Sequence, residues 1–184
     1  MNQRVVLIHG PPACGKLTTA RALQALIGGV VLHNHLTYNL AHTVFDIGDP
    51  RLVALHRELR LVMLRHALHQ DMPDLILTLV YAEPDSEANV SELVRLVESR
   101  GALLLPVYLD CPESELFARV TAQERVASGK LSSPERLTVL LRRHRHPPLP
   151  HPRTRIIENG ERSAESVAAQ IAEWLQTPPA GSGS

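Results

Sequence analysis

One short stretch of the chain has the residues of a loop that holds phosphate. It covers positions 9–20 and reads HGPPACGKLTTA. Gly10 and Gly15 stand five positions apart and Lys16 follows directly, which is the G-x-x-x-x-G-K spacing of phosphate-binding loops. The glycines allow successive backbone N–H groups to point at phosphate oxygens, and Lys16 adds a full positive charge. The stretch therefore predicts that the chain binds a nucleotide by its phosphates.

The use of lysine in the chain supports this interpretation. Of the 19 Lys and Arg residues, 17 are Arg, and the two lysines are Lys16 and Lys130. A lysine is a compact point charge that fits between phosphate groups, whereas the guanidinium of an arginine is broad and planar. We infer that the loop, rather than the general composition, requires the lysine at position 16.

The residue after Lys16 departs from the commonest form of such a loop. Leu17 stands where a Ser or Thr usually reaches a magnesium ion, and the hydroxyl comes one position later, at Thr18. In this respect the segment 10–18 resembles the loop of adenylate kinases, G-x-P-G-x-G-K-G-T. The resemblance implies that the loop holds the β- and γ-phosphates of ATP and that Thr18 approaches Mg²⁺. It assigns phosphate contacts to Gly10, Pro12, Ala13, Cys14, Gly15, Lys16, Leu17 and Thr18.

A second stretch, at 33–37, reads His-Asn-His-Leu-Thr and follows a short apolar run. Together with the loop, it resembles a group of bacterial ATP-binding proteins that are shikimate-kinase-like. These proteins pair a G-P-P-x-x-G-K-[LM]-T loop with the same His-Asn-His-Leu-Thr stretch. The resemblance covers most of the chain and implies a P-loop fold that uses ATP, but it does not identify the acceptor of the phosphoryl group.

The two histidines of the second stretch are candidates for the chemistry of the acceptor. Shikimate kinases and chloramphenicol phosphotransferases place an Asp after the second strand, whereas this sequence has His33 and His35 there. A neutral imidazole accepts a hydroxyl proton near pH 7. If the strand continued through both residues, the two imidazoles would share one face. We predict that His35, or else His33, orients or deprotonates the acceptor; the alternative is that one caps a helix and the other packs.

Arginines supply candidate contacts to the phosphates and to the acceptor. Arg119 and Arg125 precede a break at 129–134, where small P-loop kinases close a helical lid; here the lid would span about 120–147. The resemblance implies that Arg125 contacts the transferring group and that Arg119 contacts the nucleotide. The alternative is that both arginines are solvent-exposed helix residues without a role in binding. Arg57 and Arg60 lie on a long predicted helix. The resemblance to shikimate and nucleotide kinases, in which arginines at equivalent positions do so, implies that they could face an anionic acceptor.

Alternating strands and helices must position these residues. Short apolar runs predict strands at 4–9, 30–33, 74–81, 102–109 and 154–158. Helical periodicity predicts helices over 16–27, 36–45, 51–70, 86–100, 112–128, 134–144 and 163–175. The alternation predicts an α/β fold with a doubly wound, parallel, five-stranded sheet of the P-loop type, helices on both faces and a small helical lid. We expect one domain over 1–177, a loose tail over 178–184, and ligands beyond the carboxyl ends of the strands.

The composition excludes several other classes of protein. The chain has 184 residues, a net charge of zero and 3% aromatic residues, which argues against nucleic acid and membrane surfaces as partners. Cys14 and Cys111 match no metal or disulfide pattern, so we expect free thiols in the cytoplasm. The sequence thus predicts a cytoplasmic, ATP- and Mg²⁺-dependent kinase, a monomer or homodimer, that phosphorylates a hydroxyl or phosphate of a small molecule.

Two alternatives remain open at this point. The basic residues at 142–146 would suit a polynucleotide 5′-hydroxyl kinase. The third predicted strand has no acid at its end to hold a metal, which would suit a regulator that hydrolyses nucleotide slowly and has no acceptor.

Overall fold

The computed structural model describes residues 2–69, 71–121 and 133–176. Five strands in these ranges are β1 Arg4–His9, β2 Val30–His33, β3 Leu75–Leu79, β4 Leu103–Asp110 and β5 Arg155–Glu158. Seven helices in the same ranges are α1 Lys16–Ile27, α2 Asn34–His42, α3 Pro50–Ala67, α4 Glu87–Ser99, α5 Glu113–Val120, α6 Pro134–Arg143 and α7 Ala164–Gln176. Arg125, Lys130, part of the predicted lid and the predicted tail lie outside the described residues.

The five strands form one parallel sheet in the order β2-β3-β1-β4-β5. This confirms the predicted five-stranded, doubly wound α/β class. The side chains of β1 beyond Arg4 and all those of β3 are buried, because helices cover both faces of the sheet. Strands β1, β2 and β3 end side by side at His9, His33 and Leu79, so the segments that follow them meet at one edge.

Alternating side chains of β1 enter two different apolar cores. Val6 and Ile8 pack on one face of the sheet, against residues of α1, α5, α6 and α7. Val5 and Leu7 pack on the other face, against residues of α3 and α4. Successive side chains of a strand point to opposite faces, so one short apolar run joins both layers of helices to the sheet.

The amino ends of the strands are joined by a network of polar contacts. The side chain of Gln3 donates to the carbonyl of Ala67, the last residue of α3, at 2.9 Å and to that of Pro73, before β3, at 2.8 Å. The carboxylate of Asp74 accepts from the backbone N–H of Arg4 at 2.8 Å and pairs with its guanidinium. The carbonyl of Asp74 accepts from Val30 at 2.9 Å, and a Cβ on Gly29 would lie 2.6 Å from that same oxygen.

Two helices differ from the expected boundaries near the candidate site. Helix α2 begins at Asn34 and ends at His42, whereas the sequence predicts 36–45. It begins early because His33 is still extended and the next backbone N–H, that of Asn34, donates to the hydroxyl of Thr78 at 3.3 Å. Helix α3 ends at Ala67 rather than at 70. None of the described helices is long and apolar enough to span a membrane.

Candidate active site

The predicted phosphate loop connects β1 to α1 and has the required backbone shape. Gly10, Ala13 and Gly15 have positive φ angles of 148°, 67° and 89°. A Cβ on Gly10 would lie 2.8 Å from the carbonyl oxygen of Leu109, so position 10 accepts only glycine. Helix α1 starts at Lys16, and no side chain of the described residues caps it at Gly15. The first N–H groups of the helix therefore face the loop, as anion binding requires.

Lys16 lies across the loop that precedes it. Its Nζ donates to the carbonyl oxygens of Gly10 at 3.0 Å and Pro11 at 2.6 Å, and it lies 3.6 Å from the sulfur of Cys14. The side chain of Cys14 is itself fully buried in the core. Cys14 can therefore contribute only backbone atoms to a ligand, while the ammonium of Lys16 is held at the loop.

A solvent-open cavity of about 210 Å³ lies in front of the loop. Six of the eight loop residues that were predicted to contact phosphate line it: Pro12, Ala13, Gly15, Lys16, Leu17 and Thr18. Asn34 and His35 at the start of α2, together with Thr78 of β3, line the same cavity. The structure therefore brings His35 to the same cavity as the loop. We call it the phosphate cavity.

The strand does not continue through both histidines, so the condition under which they would share one face is not met. His33 is the last residue of β2, whereas His35 lies in the first turn of α2, because the chain turns into a helix at Asn34. The ring centroids are 6.4 Å apart. His35 lines the phosphate cavity and His33 lines a second cavity beside it.

The second cavity is mainly apolar and small, about 20 Å³, which is room for about one water molecule. We call it the apolar cavity. Its apolar walls come from strands β2 and β3 and helices α2, α3 and α4: Leu32, Leu36, Met63, Leu64, Leu77, Leu79 and Leu93. Asn34 and Thr78 line both cavities, so the two are adjacent at these residues.

Arg60 of α3 brings a positive charge into the apolar cavity. Its Nη1 donates to the side-chain oxygen of Asn34 at 3.1 Å. Its Nε is buried and has no hydrogen-bond partner within the described part of the chain. Burial lowers the pKa of the guanidinium, and the nearby charge of Arg57 lowers it further. Arg57 itself pairs with Glu92 of α4, so only Arg60 of the two arginines faces the cavity.

Behind the first turn of α2, a buried histidine holds the helix to α3. The Nδ1 of His56 shares a hydrogen bond of 2.9 Å with the hydroxyl of Thr37. Burial lowers the pKa of His56 to about 4, and the neighbouring Arg60 and His35 add to this effect. The imidazole is therefore neutral at pH 7. The sequence analysis missed this pair, because an isolated His on a helix carries no signal of a partner 19 residues away.

Two more neutral imidazoles lie near the loop. Burial, with a smaller effect of Lys16, lowers the pKa of His9 to about 3. Burial and the same lysine lower the pKa of His146 to about 4. Both rings are uncharged at pH 7, so neither adds positive charge beside Lys16.

Arg119 and Asn159 contact the backbone of the loop and are not among the residues that line the phosphate cavity. The guanidinium of Arg119 donates to the backbone carbonyls of Cys14, at 3.5 Å, and Gly160. The side-chain amide of Asn159 also donates to the carbonyl of Cys14. A Cβ on Gly15 would lie 3.6 Å from Asn159 and 3.7 Å from Arg119. The sequence analysis named Arg119 but missed Asn159, which follows the short last strand.

The described lining of the phosphate cavity contains hydroxyls but no carboxylate. Glu83 instead accepts from the hydroxyl of Tyr81 at 3.2 Å, and Asp85 lies 3.8 Å from His144. No group of three or more His, Cys, Asp or Glu residues that could hold a metal occurs in residues 2–69, 71–121 and 133–176. Magnesium keeps several waters and is often bound through substrate phosphates. The hydroxyl of Thr18 fits an Mg²⁺ ion that the nucleotide phosphates carry.

No protein-family model and no curated protein matches the sequence. Solved structures match over nearly the whole chain. A Chloroflexus aurantiacus protein that is thought to be a kinase has 16% identity, with 95% of this chain and 97% of that chain covered and a TM-score of 0.70. This chain has the P-loop kinase fold. Adenosine phosphosulfate (APS) kinase from Mycobacterium tuberculosis, solved with AMPPNP and APS, is 14% identical, with 96% of this chain and 99% of that chain covered and a TM-score of 0.64. The tunicamycin resistance protein of Deinococcus radiodurans is 21% identical, with 95% of this chain and 96% of that chain covered and a TM-score of 0.63.

Proposed function

We propose that this protein is an ATP-dependent kinase that transfers the γ-phosphoryl group of ATP to a hydroxyl or phosphate of a small molecule. The observation that carries the proposal is the phosphate cavity, which the loop and His35 line together. Transfer requires the phosphoryl group and the acceptor to be held in line and about 3 Å apart. A cavity that a phosphate loop and a proton acceptor share suits that requirement.

The loop would hold the β- and γ-phosphates. Backbone N–H groups around Gly15 would donate to phosphate oxygens, and the ammonium of Lys16 would shift from loop carbonyls to the phosphates. The hydroxyl of Thr18 would hold Mg²⁺ together with phosphate oxygens and water. When bound, Mg²⁺ neutralises charge that develops on the phosphates.

Two arginines would also contact the nucleotide. Arg119, which donates to the loop carbonyl of Cys14, would lie near its phosphates. Arg125 remains the arginine that we expect in the lid.

His35 is our choice for the residue that acts on the acceptor. Its ring would take the proton of an acceptor hydroxyl while the hydroxyl oxygen attacks the γ-phosphorus and ADP leaves. His33 lines the small apolar cavity instead, so we place it beside the acceptor site rather than at the reacting hydroxyl. A phosphate acceptor would need no base, and His35 would then only orient it.

ADP release from ATP and Mg²⁺ tests the proposal directly. The panel of acceptors comprises sugars, hydroxy acids, nucleosides, nucleotides, antibiotics and 5′-hydroxyl oligonucleotides, with Lys16→Ala as the inactive control. We expect one class of small acceptor to increase ADP release and to gain a phosphoryl group detectable by mass spectrometry. Stimulation by oligonucleotides alone would instead establish a polynucleotide kinase.

One observation favours a second candidate function. The described wall of the phosphate cavity has no carboxylate to support Mg²⁺ or to polarise a water molecule. A regulator that binds ATP and hydrolyses it slowly would tolerate this arrangement. Slow ADP release that no acceptor increases, and that Lys16→Ala abolishes, would select this function over the kinase.

A further inference from the structure

The phosphate cavity has an apolar lining that phosphate binding alone does not require. Leu17 in the first turn of α1, Val80 directly after β3 and Leu140 of α6 all line it, and all three side chains are half-buried. They come from three separate elements and border one solvent-open space of about 210 Å³. An apolar molecule that replaces the water beside such side chains gains free energy of binding. We call these three residues the leucine–valine wall.

The unusual residue of the phosphate loop supplies one part of this wall. Position 17 usually carries a hydroxyl that reaches a magnesium ion, whereas here it carries a leucine and Thr18 carries the hydroxyl. The side chain of Leu17 belongs to neither of the two apolar cores that flank the sheet. It lines the phosphate cavity instead. The leucine therefore changes the chemistry of the cavity rather than the packing of the fold.

The polar side chains of the same cavity offer few hydrogen bonds to an acceptor. The hydroxyl of Thr78 accepts from the backbone N–H of Asn34 at 3.3 Å. The side-chain oxygen of Asn34 accepts from Arg60 at 3.1 Å. Under the proposed function, Lys16 and Thr18 would hold the nucleotide. An acceptor with many hydroxyl groups would therefore exchange hydrogen bonds with water for too few hydrogen bonds with the protein.

The cavity is equally unsuited to an ionic acceptor. Its described lining contains neither an arginine nor a carboxylate. An anionic acceptor would be repelled by the phosphates of the nucleotide and would compete with them for Lys16. A cationic acceptor would find no carboxylate in this lining. The chemistry of the described lining thus favours an acceptor that is uncharged and mainly apolar.

We propose that the acceptor is an uncharged alcohol with an apolar body, which packs against Leu17, Val80 and Leu140 while its hydroxyl lies beside His35. The preference for an uncharged, apolar body follows from the lining of the cavity, and the position of the hydroxyl rests on the proposed kinase function. In the reaction, the alcohol oxygen bonds to the γ-phosphorus, the bond from that phosphorus to ADP breaks, and the alcohol proton goes to His35.

Binding of three matched probes tests the wall independently of catalysis. Cyclohexylmethanol, 4-(hydroxymethyl)cyclohexanecarboxylate and glucose each have a six-membered ring with a hydroxymethyl group, and they differ in charge and in hydroxyl content. Saturation-transfer NMR and calorimetry measure binding with and without AMPPNP and Mg²⁺. We expect cyclohexylmethanol to bind with a Kd of about 1 mM, about 10-fold more tightly than the other two. Absence of its binding up to about 10 mM, or equal binding of either control, overturns the proposal.

Matched variants show whether the probe binds at the wall. Leu17→Ser and Leu140→Ser should each weaken cyclohexylmethanol by about 3- to 10-fold, because each removes apolar contact area. Val139→Ser, next to Leu140 but 62% exposed, and Leu40→Ser, 55% exposed on α2, should leave its affinity unchanged. Equal losses in these two controls would contradict the proposal. Should Leu140→Ser fail to fold, Val80→Thr decides in its place, because it adds a hydroxyl at nearly constant volume and should also weaken the probe.

Phosphoryl transfer is read in a separate assay, so that two failures stay distinct. If cyclohexylmethanol binds at the wall but no apolar alcohol is phosphorylated with ATP and Mg²⁺, the apolar binding site stands and the kinase function is wrong. If the protein phosphorylates sugars or hydroxy acids but no apolar alcohol, the kinase function stands and the proposed class of acceptor is wrong.

Discussion

The phosphate cavity and the apolar cavity touch at Asn34 and Thr78, yet they are built in different ways. One wall of the phosphate cavity is a continuous segment, positions 12–18, whose backbone shape is set by glycines and a helix start. The apolar cavity takes side chains from five separate elements, up to 61 positions apart between Leu32 and Leu93. Under the proposed function, phosphate binding would depend on local backbone shape, whereas recognition of the acceptor would depend on packing between distant segments.

The largest expected effect tests whether the two cavities serve one reaction. His35→Ala should lower kcat with the true acceptor by about 10²- to 10⁴-fold, because a positioned general base contributes that much. The affinity for ATP should change little, since the loop is intact. Initial rates of ADP release and ATP titrations measure the two quantities. His33→Ala is the matched control and should have a smaller effect; the opposite ranking would exchange the roles of the two histidines.

The next effect belongs to the phosphate cavity alone. Lys16→Ala should weaken ATP binding by about 10- to 100-fold, because it removes charged hydrogen bonds to phosphate. Leu17→Gly should retain binding, since it recreates the loop form of adenylate kinases. Titration with a fluorescent ATP analogue measures both variants. Equal affinities of wild type and Lys16→Ala would show that the loop does not bind phosphate.

Two buried histidines, His9 near the phosphate loop and His56 behind α2, should make the free energy of unfolding depend on pH. The pKa of His9 is lowered to about 3 and that of His56 to about 4 from an ordinary value of 6.5, so the unfolded chain binds more protons below pH 6.5. The free energy of unfolding should therefore decrease as pH falls below 6.5, by up to about 1.4 kcal/mol per pH unit for each ring. As pH falls further, the contribution of each ring to this decrease ends near its pKa in the folded protein, about 3 for His9 and about 4 for His56.

Urea unfolding at about pH 5 and about pH 7 measures this dependence. His9→Gln and His56→Asn should each flatten the pH dependence, because each removes one ring with a lowered pKa, while His66→Asn, at an exposed position, is the control. If all three variants keep the slope of wild type, protonation of these rings does not limit stability.

The smallest effect concerns the support of the apolar cavity. Thr37→Val should reduce the free energy of unfolding by about 1 kcal/mol, because it removes the hydrogen bond to His56. Thr43→Val, at an exposed position after the same helix, should cost less. Thermal unfolding measures both. A larger loss for Thr43→Val would show that the buried pair does not hold α2 to α3.

The elements that the sequence predicts best are those with continuous local signals. The apolar runs of β1 and β3 predict buried parallel strands, and the loop between β1 and α1 predicts its own shape from two glycines. The start of α2 was misplaced because a contact with Thr78, 44 residues away, sets it. The sequence predicts the same role for Arg57 and Arg60, and the structure distinguishes them because Arg57 pairs with Glu92. A partner so far along the chain produces no local sequence pattern, so the sequence does not predict it.

The contacts of Gln3 and Asp74 at the amino ends of the strands have a consequence for how the molecule opens. These contacts join β1, β2, β3 and the end of α3 on the side of the sheet opposite both cavities. Opening of the ligand-binding edge does not require them to break. Amide hydrogens such as that of Val30, which bonds to Asp74, should exchange only in global unfolding, whereas those around Gly15 should exchange through local fluctuations. Hydrogen exchange can therefore follow ligand binding at one end of the sheet while the other end reports the stability of the whole fold.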